Sequence, residues 1–171
     1  MDFLDIIRRV IAEHQLLRER ENRVGQSVND IEAVFNLQRA ASGWSQGSVE
    51  TLVEQHNKLQ ETFGILDRGL NGHFAFEEDA LPPIFGNTLT QALLVEHGEI
   101  KDKVAQARAT LRNTRFEGLT REQLWTQKAA VQQMVFNMNK MIEEHAGREE
   151  VILRMIEKAL QKTTGGSETG Q

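Results

Sequence analysis

Two histidine–glutamate pairs carry the chemistry that this sequence could perform. His73 and Glu77 are four residues apart, and so are His145 and Glu149. In an α-helix, residues at this spacing lie on one face with Cβ atoms about 5–6 Å apart, so both side chains of a pair can reach one metal ion. Each pair continues with a second glutamate to read His-x-x-x-Glu-Glu. The repeated motif favours metal coordination over a coincidence of two unrelated pairs.

Two further histidines, His14 and His97, are each preceded by glutamate in a Glu-His dipeptide. Apolar residues three or four positions away place each of them on the inward stripe of a predicted helix. The chain therefore reads as two helix pairs, and in each pair a Glu-His dipeptide is followed by His-x-x-x-Glu-Glu. This pseudo-repeat predicts one site with two equivalent metal positions.

The cost of burial supports the same interpretation. An unpaired imidazole or carboxylate in a core costs several kcal/mol, and a metal ion would compensate for this cost. We therefore predict six metal ligands, namely His14, His73, Glu77, His97, His145 and Glu149. Two alternatives stay open: the pairs could be interhelical hydrogen bonds without metal, and Glu150 could replace Glu149 as a ligand.

The remaining acidic and histidine residues receive other roles. Glu13, Glu78, Glu96 and Glu150 are expected to be surface charges or partners that orient the histidines. His56 precedes His73 by seventeen residues on the same predicted helix, which is about 25 Å along the axis. We expect His56 to have a structural role outside the site.

The elements that must position these residues are helices, because apolar residues recur at three- and four-residue spacing through most of the chain. The predicted helices cover about residues 2–24, 48–81, 88–111 and 120–160. Pro82 and Pro83 stop the second helix, and Thr120 with Gln123 forms a capping box before the fourth. Short links make antiparallel neighbours, so the expected fold is an all-α, up-down-up-down four-helix bundle.

The segment between the first two helices, about residues 25–47, has helical composition in its middle. It predicts a short extra helix inserted between the first and second helices. The bundle with this insert is expected to span residues 1–162. Residues 163–171 contain three glycines and no apolar residue, which predicts a disordered tail.

Composition excludes several classes of function. The 171 residues include 25 acidic and 20 basic side chains, and the net charge of −5 disfavours binding to nucleic acid or to an anionic membrane. The absence of cysteine excludes disulfides, thiolate catalysis and iron–sulfur ligation. No apolar run approaches the roughly 20 residues of a membrane span, and no signal peptide pattern is present. We expect a cytoplasmic protein.

The sequence resembles the hemerythrin-like, or HHE cation-binding, family of di-iron four-helix bundles over about residues 1–160. The motifs that carry the resemblance are Glu13-His14, His73-Phe-Ala-Phe-Glu77-Glu78 followed by Leu-Pro-Pro, Glu96-His97, and His145-Ala-Gly-Arg-Glu149-Glu150. The resemblance implies two irons that are bound terminally by the four histidines and bridged by Glu77, Glu149 and an oxo or hydroxo group. The ferritin-like class requires Glu-x-x-His, which is absent from this sequence.

One departure from the oxygen-carrying members bears on function. Those proteins have a fifth histidine in a His-x-x-x-His pair of the third helix, whereas His97 here has Leu93 before it and Lys101 after it. Two imidazoles, two carboxylate oxygens and a bridging hydroxide give each iron five ligands and leave an open position. We expect O2, peroxide or NO to bind there, for sensing, detoxification or the handling of oxygen or iron.

Two further expectations concern the metal and its use. Manganese or zinc would also suit these ligand types. The alternative function is a regulatory or iron-delivery and repair module whose metal site controls a partner. We rank it second, because the repair proteins of this family usually carry a cysteine-containing segment and this chain has no cysteine. The sequence indicates no oligomeric state.

Overall fold

The computed structural model describes residues 2–39, 41 and 44–165. These residues form four helices: α1 (Phe3–Arg39), α2 (Gln46–Ala80), α3 (Pro82–Asn113) and α4 (Arg121–Gly165). Each helix packs against two others in the order α1, α2, α3, α4 and back to α1, and neighbouring helices are antiparallel. The predicted four-helix bundle is confirmed. None of the described helices contains an apolar stretch that could span a membrane.

The predicted short helix between the first two helices is wrong, because α1 continues without interruption to Arg39. Val24, Ile31 and Phe35 are all buried at helical spacing. The inward stripe of α1 therefore runs on past the point where a break was expected, and the core holds one long helix in place. Residues 40, 42 and 43 of the predicted insert lie outside the described residues.

The ends of α2 and α3 follow local chemistry. Ser45 caps α2, and its hydroxyl accepts a hydrogen bond from the Ser48 backbone N–H at 3.1 Å. The proline pair occupies the first positions of α3, where a missing N–H costs nothing. Gly86 then kinks α3 with a φ of 68°, a left-handed conformation that favours glycine. The sequence predicted that the third helix starts at Thr88. In the structure α3 has one additional turn before the kink at Gly86.

The start of α4 confirms the predicted capping box. The Thr120 backbone N–H donates to Gln123 Oε1 at 2.8 Å, and the Gln123 N–H donates to Thr120 Oγ1 at 3.3 Å. The helix continues to Gly165 rather than ending near Leu160. Most of the predicted tail, residues 166–171, lies outside the described residues.

A polar layer divides the buried interior into two apolar clusters. The larger cluster occupies one end of the bundle and includes Phe35, Phe63 and Leu124. The smaller cluster at the other end contains Ile6, Ile7, Val10, Leu81, Leu93 and Leu153. On every helix the buried histidine of the predicted motif falls between residues of the two clusters. The fold therefore places all the predicted site residues at one level.

Candidate metal centre

Six buried side chains from four helices form the polar layer. They are His14 on α1, His73 and Glu77 on α2, His97 on α3, and His145 and Glu149 on α4. None of the six is more than 4% exposed to solvent. The structure thus brings together every residue that the sequence predicted as a metal ligand.

Glu77 lies at the centre of this layer. Its Oε1 is 2.8 Å from His73 Nε2 and 3.5 Å from His14 Nε2. Its Oε2 is 3.2 Å from His97 Nε2. One carboxylate therefore faces imidazoles from three different helices, which is the arrangement that a bridging ligand requires.

Glu149 approaches the layer from the opposite helix. Its Oε2 is 3.3 Å from His14 Nε2 and 3.8 Å from His145 Nε2. Glu150 points elsewhere, because its Oε1 accepts a hydrogen bond from Arg18 at 2.7 Å and is 3.2 Å from His14 Nδ1. The geometry favours Glu149 over Glu150 as the carboxylate from α4.

Each of the four histidines uses Nδ1 to contact a carboxylate on the neighbouring helix. Glu13 on α1 accepts from His73 at 3.0 Å, and Glu78 on α2 accepts from His97 at 2.9 Å. Glu96 on α3 accepts from His145 at 2.8 Å, and Glu150 on α4 accepts from His14. The four bonds form a closed ring in which every helix supplies one histidine and one acceptor. We call this set the imidazole–carboxylate ring.

The imidazole–carboxylate ring fixes the role of the second nitrogen, Nε2, in each histidine. A carboxylate only accepts hydrogen bonds, so each Nδ1 carries the hydrogen and each neutral imidazole keeps a lone pair on Nε2. These four Nε2 atoms are buried without a hydrogen-bond partner, and so are both oxygens of Glu77 and of Glu149. The layer therefore concentrates acceptors that face one another without a donor.

Only a cation or shared protons can stabilise such a set. Burying unpaired acceptors costs several kcal/mol, and acceptors in contact also repel each other. The imidazole nitrogens and carboxylate oxygens are ligands that transition metals prefer. Two groups of ligand atoms, each within 4.8 Å of one another, could hold a metal ion: His14, His73, Glu77 and Glu149, and Glu77, His97 and His145. The residues present fit two adjacent metal positions that share Glu77.

The pKa values of these groups reflect the same crowding. Burial by itself lowers the pKa of His14, but Glu149 and Glu77 stabilise its charged form and raise it to about 9. Burial, assisted by the charge of Glu77, raises the pKa of Glu149 to about 7. Burial opposes ionisation of Glu77, yet the neighbouring imidazoles lower its pKa far below the usual range. Without a metal, the layer therefore retains protons that a bound cation would displace.

Four basic side chains outside the ring were not found from the sequence. Each binds one of the ring carboxylates, and the pairs are Arg9 with Glu13, Arg18 with Glu150, Lys101 with Glu78, and Arg148 with Glu96. The first pair has the i, i+4 spacing that sequence could have revealed. The other three join different helices, and no local pattern identifies them.

His56 lies outside the layer, as expected. Its Nε2 donates to the Leu111 carbonyl at 2.9 Å, and its ring contacts Phe116 edge-on with centroids 5.2 Å apart. Burial is the main cause of its lowered pKa. His56 thus joins α2 to the end of α3 and has no contact with the six inner residues.

The fold and the site together define a class: a bundle of antiparallel helices with a candidate two-metal centre to which all four helices contribute. The family model described as "Hemerythrin HHE cation binding domain" matches residues 5–156. Because the match covers most of the chain, this chain belongs to the hemerythrin HHE cation binding domain family. Comparisons with curated proteins and with solved structures gave no match.

Proposed function

We propose that this chain holds two iron ions with an oxo or hydroxo bridge and binds O2, peroxide or NO at an open metal position. The observation that carries the proposal is the set of eight buried acceptor atoms without hydrogen-bond partners, contributed by four imidazoles and two carboxylates. The membership of the HHE cation binding family supports a metal as the missing partner. Sensing or detoxification of such a ligand is the role that this site suits best.

The donor set favours a transition metal over calcium or magnesium, and among transition metals we propose iron. Imidazole and carboxylate together suit iron, manganese and zinc, whereas calcium and magnesium prefer oxygen ligands alone. When bound, iron would supply both open coordination positions and the electrons needed to bind or reduce a small molecule. Manganese and zinc are the alternatives that metal analysis must distinguish.

The protein residues would perform three tasks. The Nε2 atoms would bind metal, because the Nδ1 hydrogen bonds fix the tautomer and orient each ring. Glu77 and Glu149 would bridge the two metal ions. Phe74 stacks on His97 with ring centroids 3.9 Å apart and contacts His145 edge-on, which excludes water from one side of the layer.

Anaerobic reconstitution with ferrous iron tests the proposal. We expect two irons per chain and near-ultraviolet charge-transfer absorption after exposure to oxygen. His73→Ala and Glu77→Ala should abolish binding at one or both positions. His56→Gln is the matched control, because it alters a buried histidine outside the layer and should leave the iron content at two. Wild-type protein that retains less than one metal per chain would refute the proposal.

A further inference from the structure

A narrow cleft between α3 and α4 leads from the surface to the candidate metal ligands. It has a volume of about 170 Å³, and His145 and Glu149 form part of its wall. Ala92 and Leu89 lie at the exposed side of the cleft, while Leu93 is buried. We call this space the α3–α4 cleft. It reaches two of the six inner residues, His145 and Glu149.

The lining of the cleft selects a class of ligand. Phe85, Leu89, Ala92, Leu93 and Ile152 make its walls apolar. Its polar groups beside the metal ligands, Glu96 and Arg148, neutralise each other through a hydrogen bond of 2.7 Å. Pockets for larger organic ligands measure about 300–1,000 Å³. Size and polarity therefore favour a small uncharged molecule over an anion or an organic substrate.

The two candidate metal positions are not equivalent in their surroundings. The side of the layer that holds His145 and Glu149 borders the α3–α4 cleft, whereas His14 does not line it. A second cavity, of about 330 Å³, does touch His73, but its lining includes Arg9, Glu13, Arg20 and Arg68. Of the six inner residues it touches His73 alone, whereas the α3–α4 cleft touches both His145 and Glu149. Of these two spaces, only the α3–α4 cleft leads to the inner residues between apolar walls.

From the position and lining of the cleft we propose that a neutral diatomic molecule, NO or O2, enters through the α3–α4 cleft and binds at the metal position beside His145. The inference rests on the proposed function, because it assumes that metal occupies the inner layer. Ala92 and Leu93 are then the residues that limit access to this position.

Three tryptophan substitutions at exposed helical positions separate the routes. Ala92→Trp fills the mouth of the α3–α4 cleft. Gly72→Trp fills the second cavity, where an added Cβ meets no atom within 4 Å. Ala105→Trp on α3 is exposed, lines neither space and serves as the matched control. Circular dichroism and iron content would establish that each variant folds and loads metal as the wild type does.

The first measurement is the association rate of NO with the diferrous proteins in a stopped-flow instrument. We expect Ala92→Trp to slow association by about tenfold or more, while Gly72→Trp and Ala105→Trp stay within about twofold of wild type. An unchanged rate in Ala92→Trp, or an equal slowing in Gly72→Trp, would overturn the route. Failure of the wild type to load iron or bind NO would instead remove the proposed function and this inference with it.

The second measurement needs no metal. Xenon occupies dry apolar cavities of about this size in proteins. In crystals of the iron-free protein under xenon pressure, we expect a xenon atom in the α3–α4 cleft of the wild type and of Ala105→Trp, and none there in Ala92→Trp. A wild-type cleft that takes up no xenon would contradict an apolar path for gas, whatever the iron-loaded protein does.

Discussion

At the scale of single residues, charge is balanced outside the inner layer and unbalanced within it. The four carboxylates of the imidazole–carboxylate ring are each bonded to one arginine or lysine. Once a metal has displaced the protons of the layer, the imidazoles are neutral, and the ring and its basic partners carry no net charge. Glu77 and Glu149 remain as the uncompensated charges of the layer, and a pair of divalent or trivalent cations complements them.

Removing one ring charge should weaken metal binding without changing any direct ligand. In Glu78→Gln, the amide oxygen can still accept from His97, but the carboxylate that raises the basicity of this imidazole is lost. We expect metal affinity to fall by about 10- to 100-fold. Competition with a chromophoric chelator measures the change. Asp79→Asn removes an adjacent exposed charge and should leave the affinity as it is. Equal affinities of Glu78→Gln and wild type would mean that the ring has no influence on the metal.

A buried carboxylate outside the site makes stability depend on pH. Glu21 on α1 is only 8% exposed, and burial, together with the charge of Glu143, raises its pKa from 4.5 to about 7. The folded protein therefore keeps a proton that the unfolded chain releases as the pH rises from about 4.5 to 7. Over this window the free energy of unfolding should decrease, by up to about 3 kcal/mol from this group.

Substitution of this carboxyl tests the effect. We expect Glu21→Gln to have a higher free energy of unfolding than wild type at pH 8, with the advantage shrinking as the pH falls to 5. Urea unfolding of the metal-free proteins at both pH values measures the difference. Glu19→Gln changes an exposed glutamate of the same helix and should follow the wild type. A Glu21→Gln curve parallel to wild type across the range would show that Glu21 does not titrate in this window.

The six inner residues were predictable because the buried face of a helix recurs every three or four residues in the sequence. A polar residue on an apolar stripe is visible in the sequence, and four such positions in four helices locate one layer, as His73 and His97 illustrate. The partners of Glu78, Glu96 and Glu150 were not predictable. Their contacts depend on how far neighbouring helices slide and rotate relative to each other, and helical periodicity within one chain segment does not encode this.

At the scale of elements, the predicted end of the first helix near Val24 and the separate short helix after it do not occur. Gly25 costs α1 some stability, but the buried stripe from Ile31 to Phe35 outweighs this cost. The capping box at Thr120 was predictable because it depends only on residues three apart. Helix caps are therefore easier to predict here than helix continuity, which depends on tertiary packing.

Two glycines on different helices should respond to alanine in opposite directions. An alanine Cβ at Gly25 meets no atom within 4 Å, and the residue is helical, so Gly25→Ala should stabilise the protein by about 0.5–1 kcal/mol. An alanine Cβ at Gly86 would also meet no atom within 4 Å, but the backbone there has a φ of 68°. Gly86→Ala should destabilise by about 1–2 kcal/mol, because L residues are strained there. Thermal unfolding measures both. Destabilisation by Gly25→Ala would indicate that α1 is broken at this point.

At the scale of the whole molecule, the polar layer lies between two apolar clusters and belongs to neither. Its acceptors oppose folding in the absence of a cation, while the clusters on both sides favour it. A metal that binds only the folded chain therefore adds directly to the stability of the entire bundle. Metal content and thermal stability should change together.

Zinc is a redox-inactive probe of this coupling. At a free zinc concentration of about 100 times its Kd, binding adds about 2.7 kcal/mol, which corresponds to a Tm increase of about 5–10 °C for a chain of this size. Glu77→Gln keeps the shape of the bridging side chain but removes its charge, and should show little or no increase. Differential scanning calorimetry with and without zinc measures both proteins. An equal increase in the two would place the stabilising zinc somewhere other than the inner layer.

Because the imidazole–carboxylate ring is closed, it does not depend on which helix comes first in the chain, provided that each helix keeps its two neighbours. The last helix contacts the first through Glu150 and His14, in the same way as each helix contacts its successor. Arg8 and Glu157 also bring the outer parts of α1 and α4 side by side, at 3.5 Å. A circularly permuted chain, opened between α2 and α3 and joined across its original ends, would keep all four links.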